Sequence, residues 1–146
     1  MSGDYPSLLK RRATSMLKLA ERLLSEGEYD LAVLNAEYAA QLYVKALLNR
    51  LSGDEWRGHS VRTLLGALAL VVREGGLEGI AETIQEFVRH NRRMLAELDE
   101  AHVRSIYGPL QYSREQAEAL VQAAKSVVAL LKGIEEQVFG SEGDRR

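Results

Sequence analysis

Residues 28–51, EYDLAVLNAEYAAQLYVKALLNRL, constrain this chain most: placed on a helix, they are apolar almost all the way round. A surface helix shows one apolar stripe, whereas a helix apolar on every side needs neighbours on every side. Leu31, Leu34, Tyr38, Leu42 and Ala46 form one row, and Ala32, Ala36, Ala39, Tyr43 and Leu47 another. The small alanines let flanking helices come close. The polar remainder is a narrow seam, Glu37, Gln41, Lys45 and Asn49, each four residues after the last. Residues spaced by four lie above one another on a helix. Such a segment predicts the centre of a helical bundle.

The flanking sequence supplies the neighbours. A first helix is predicted from about Pro6 or Ser7, after a short leader at residues 1–6, with Leu9, Ala13, Met16, Ala20 and Leu23 inward. Gly27 suits a left-handed C-cap, which makes the first two helices antiparallel neighbours. Ser60 caps a third helix that runs to about Glu74, where Gly75-Gly76 stops it. A fourth starts near Leu77 on the stripe Ile80, Ala81, Ile84, Phe87, Val88, Leu95, Leu98. Asn91 and His102 fall on that stripe, and a kink or break is expected between Asn91 and Ala101. Gly108-Pro109 ends the segment. Ser113 and Gln116 fit a capping box for a last helix, whose stripe reaches Val138 before Gly140. The sum is an all-α, four- to five-helix up-and-down antiparallel bundle. Residues 1–140 form one domain, and residues 141–146 a disordered tail.

Composition narrows the chemistry. The chain has 146 residues, two prolines and no cysteine, and its net charge is −2. That length buries roughly 68–70% of the unfolded surface, enough for a self-sufficient core. Disulfides, thiol catalysis and cysteine-based zinc sites are excluded. No bulk positive charge marks a polyanion binder. No run approaches the 18 or so apolar residues of a membrane span, and no signal region precedes the first helix, so a cytoplasmic protein is expected. There is no P-loop, dinucleotide fingerprint, nucleophile elbow or HExxH motif, and no metal or cofactor is expected.

Several polar features remain open in meaning. The seam is either a polar ligand-binding cleft, or else a solvated strip or an intrahelical Glu–Gln–Lys ladder. His59 lies in the loop before the Ser60 cap, where local packing or hydrogen bonding is the simpler role. His102, close to Arg104 and Tyr107, is either a satisfied core residue or a catalytic one. The basic runs Arg89-His90-Asn91-Arg92-Arg93 and Lys10-Arg11-Arg12 are either wet helix faces or phosphate contacts.

Three blocks in order resemble the HEPN domain family: AEYAAQLYVKALLNRLSG at residues 36–53, GHSVRTLLGAL at 58–68, and LDEAHVRSIYGPLQYSREQAEALVQAAKSVV at 98–128. The resemblance implies a helical bundle that dimerises and is linked to nucleotides or RNA. Many relatives are partners of small nucleotidyltransferases in two-component, toxin–antitoxin-like systems. Others are metal-independent ribonucleases that use an Arg, four to six residues, then a His. Here no Arg precedes any His at that spacing.

Two functions follow as expectations. The first is a homodimeric nucleotide-binding or protein-interaction module with a nucleotidyltransferase partner. Its cleft would be lined by Glu37, Gln41, Lys45, His59, Arg104 and Tyr107. Lys45 and Arg104 would hold phosphate, and Tyr107 would stack on or hydrogen-bond a base. The second is a ribonuclease in which His102 is the base for a 2′-hydroxyl and Arg104 stabilises phosphate charge. His102 and Arg104, two residues apart, diverge by roughly 200° on an ideal helix.

Overall fold

A computed structural model describes residues 4–140. Those residues form six helices and no strand: α1 (Asp4–Ser25), α2 (Tyr29–Ser52), α3 (Val61–Glu74), α4 (Glu78–His90), α5 (Arg92–Tyr107) and α6 (Arg114–Phe139). The segment predicted to be central is α2, which packs against α1, α3, α5 and α6. Its alanines at 32, 36, 39, 40 and 46 are buried and bring the neighbouring backbones close. Leu47 and Leu48 fill the spaces between, and each such burial contributes about 1.5–3 kcal/mol.

The helix ends follow the local chemistry. Gly27 has φ 80, a left-handed turn that returns the chain from α1 into α2. Ser60 and Ser113 cap α3 and α6, and the Ser113–Gln116 capping box is complete in both directions. The first helix starts two or three residues earlier than predicted, so residues 4–6 are helical rather than leader. The predicted tail, residues 141–146, lies outside the described residues.

The bundle has six helices rather than four to five. The stripe from Leu77 to Gly108 divides at Asn91, at the start of the stretch where a kink or break is expected, and the φ −118 and ψ 23 of Asn91 leave the helical region. Its side-chain amide donates to the Phe87 carbonyl oxygen at 2.9 Å, a contact with the turn before it that competes with a continuous helix. Asn91 thus closes α4 and opens α5, and α4 packs on α3 and only lightly on α5.

Long-range polar contacts fix the directions. Tyr112, just before α6, donates its backbone N–H to Asp30 in the first turn of α2. At the other end, Glu135 of α6 is buried and accepts from Tyr43 of α2 at 3.0 Å and from Lys10 of α1 at 2.8 Å. Arg50 of α2 is 3.9 Å away, its guanidinium seated over the Phe139 ring. Hence α2 and α6 run parallel, and α1 antiparallel to both. No described helix is long and apolar enough to cross a membrane.

Candidate functional site: a carboxylate-backed histidine pair

The polar seam of α2 is not a solvated strip. Glu37 is 0% exposed and Gln41 2%. The Gln41 amide N–H donates to one Glu37 oxygen, and the Lys45 ammonium donates to the Gln41 carbonyl oxygen at 3.2 Å. The ladder is present and buried, and its Glu37 end turns toward α5. Asn49, the seam's last member, instead donates to the Asp54 carbonyl oxygen and anchors the α2–α3 loop.

The other Glu37 oxygen lies 2.9 Å from Nδ1 of His102 on α5. His102 falls one turn after buried Leu98, which turns its ring toward α2. With Glu37 ionised, the shared proton sits on Nδ1, and Nε2 becomes the free lone pair. The Tyr38 ring meets the imidazole edge-on, with centroids 5.2 Å apart.

His59 arrives from the α2–α3 loop and stacks on His102, with ring centroids 4.5 Å apart and planes 16° from parallel. Asp99 positions that loop. It accepts from the Ser60 hydroxyl at 2.7 Å and from the Val61 backbone N–H at 2.6 Å, while Ser60 caps α3 by accepting from Thr63. A carboxylate at a helix N-terminus is also favoured by the helix dipole. Asp99 was absent from the sequence-derived set. Its signal was position: it adjoins core Leu98 and lies one turn before His102.

Burial pushes the Glu37 carboxyl above the usual carboxylate range. Hydrogen bonds from Gln41 and His102, and the charge of His102, oppose that shift, while Asp99 adds to it. Burial likewise lowers Lys45, against the pull of Glu37. The site therefore couples a desolvated carboxyl to an imidazole, with a desolvated ammonium two hydrogen bonds away.

Of the residues named from sequence, Glu37, Gln41, Lys45, His59 and His102 come together. Arg104 lies elsewhere: its guanidinium stacks on Tyr112, 4.3 Å from the ring centroid, in a pocket between α5 and α6. This is the divergence that two residues of helix impose. Tyr107, in the last turn of α5, is 81% exposed. The Arg89–Arg93 run straddles the α4–α5 break and is mostly exposed, as a wet face would be.

The result is a helical bundle with two stacked imidazoles backed by a buried carboxylate. The chain belongs to the HEPN domain family, whose family model matches residues 6–134 and so takes in Glu37, Gln41, Lys45, His59 and His102. No curated protein and no solved structure matches the chain.

Proposed function

We propose that this HEPN domain binds the phosphate backbone of a nucleotide or RNA strand at the His59–His102 cleft. One observation carries the reading: buried Glu37 holds His102 by Nδ1, leaving Nε2 free beside the stacked ring of His59. Protonated imidazoles and the Lys45 ammonium are donors that suit phosphate oxygens. Glu37 and Gln41 act through His102 and Lys45 rather than on the ligand. Arg104 is left out, because it stands among carboxylates on another face.

The same geometry favours a second reading, metal-independent RNA cleavage. His102 Nε2 would take the proton of a 2′-hydroxyl. The 2′-oxygen would attack phosphorus, and the 5′-oxygen would leave with a proton from the His59 imidazolium. The products would be a 2′,3′-cyclic phosphate and a 5′-hydroxyl.

Around this site the working unit is a homodimer in the cytoplasm, with a small nucleotidyltransferase as partner in a two-component, toxin–antitoxin-like system. Support for the dimer comes from Val103, Ile106, Tyr107 and Leu110, which are 51–81% exposed in one segment beginning beside His102. Apolar side chains gathered in this way mark an interaction surface.

The test uses labelled single-stranded RNA with EDTA present. Retention of RNA without cleavage, lost in His102→Ala, supports the binding module. Cleavage lost in His102→Ala and in His59→Ala supports the ribonuclease. RNA neither retained nor cut, or retained equally by both variants, sinks the site.

A further inference from the structure

The pocket between α5 and α6 is separate from the histidine pair and has a different chemistry. It encloses about 380 Å³. Glu97 and Glu100 of α5 stand on one wall, and Glu115 in the first turn of α6 on the other. Ala119 and Leu120, on α6 like Glu115, supply an apolar stretch. The one cationic lining residue, Arg104, has its guanidinium laid on the Tyr112 ring. Glu97 has a loose pair with Arg93, 3.8 Å away and 93% exposed, which solvent screens heavily.

Tyr112 also lines the pocket, and it is only 4% exposed. Its ring is engaged by Arg104, yet among the described residues its hydroxyl has no hydrogen-bond partner. That oxygen is not sealed in protein, since no described side-chain polar atom is both buried and unpaired. Burial and the charges of Glu100, Asp30 and Glu97 raise its pKa against the pull of Arg104, and Tyr112 lines the same pocket as Glu97 and Glu100. A buried tyrosine usually spends its hydroxyl on a partner, and here the open side is the pocket.

We propose that this pocket binds an aliphatic di- or polyamine. Three carboxylates reject a phosphate and favour a cation. Among the described residues no three acidic or imidazole side chains converge as a metal ion requires. The negative charge is spread over two walls, one of which also carries an apolar strip, which matches ammonium groups separated by methylenes. One ammonium donates to Glu97 and Glu100 and to the Tyr112 oxygen. The methylenes lie on Ala119 and Leu120, and the second ammonium meets Glu115. The three N–H groups of the first ammonium then each face an acceptor.

The experiment is titration calorimetry with putrescine and with spermidine at physiological salt, and with magnesium at matched ionic strength. Saturable one-site binding is expected for the amines, and none for magnesium. Glu100→Gln weakens it about tenfold, and Tyr112→Phe, which keeps the ring under Arg104, about threefold. Glu82→Gln, on the exposed side of α4, leaves it unchanged. Glu115→Gln serves as a second variant should Glu100→Gln unfold by circular dichroism. No saturable heat overturns the proposal. So does equal displacement by magnesium, or binding indifferent to the pocket substitutions.

Discussion

Glu37→Gln will leave the bundle folded and turn the outward nitrogen of His102 from an acceptor into a donor. Glu37 accepts on both sides, from the Gln41 amide and from His102 Nδ1. A carboxylate has two acceptor oxygens, whereas a glutamine offers one oxygen and one NH₂. With the oxygen kept on Gln41, the NH₂ faces Nδ1, which must then accept. The proton moves to Nε2, the position a general base would need free. Imidazole nitrogen NMR reads the tautomer directly. If the protein cleaves RNA, the rate falls by about 10³-fold or more, the scale on which a general base in the wrong tautomer loses its role. A spectrum with Nδ1 still protonated would refute the assignment.

The same variant carries a signature in stability. Burial raises the folded-state Glu37 carboxyl above 4.5, so the native protein holds that proton more tightly than the unfolded chain. The group's stabilising contribution is full below 4.5 and is lost as pH rises through the raised value. Glu37→Gln removes that decline, so the variant loses less stability than the parent between mildly acidic and neutral pH.

Lys10→Met will destabilise the protein by about 3 kcal/mol, the usual cost of stranding one charge of a buried pair. Glu135 keeps the Tyr43 hydroxyl, but Arg50 is 3.9 Å off and held over Phe139, too far to replace a 2.8 Å ion pair. For a chain of this size the unfolding midpoint falls by roughly 6–12 °C. Adding Glu135→Leu to Lys10→Met recovers much of the loss, since a stranded carboxylate and not a missing contact is its source. A single variant within about 0.5 kcal/mol of the parent would show that water reaches Glu135 and that the charge is not stranded.

These sites differ in how far they could be read from sequence. The seam was legible because Glu37, Gln41 and Lys45 interrupt a helix that is otherwise apolar. Helix ends were legible because Gly27, Ser60, Ser113 and Gly140 carry their own stereochemistry. The histidine stack was not, because His59 reaches His102 from a loop whose path depends on Asp99, and no local pattern encodes that pairing. Arg104 was grouped with His102 by closeness in sequence, although helical geometry turns them apart. Glu135 reads as one of two adjacent glutamates near the end of α6. Its clue was register: it follows buried Leu131 by four and Val128 by seven, on the face turned inward. Its partners, up to 125 residues away, could come only from the fold.

The break at Asn91 also divides the molecule by resilience. Since α4 leans on α3 and barely on α5, it can detach as one piece while the four-way packing about α2 persists. Its amide protons will then exchange with deuterium through a low-energy local opening, whereas those of α2 wait for the whole molecule to unfold. The Asn91 junction is thus the seam along which this bundle first comes apart, and α4 the element that a bound partner could hold shut.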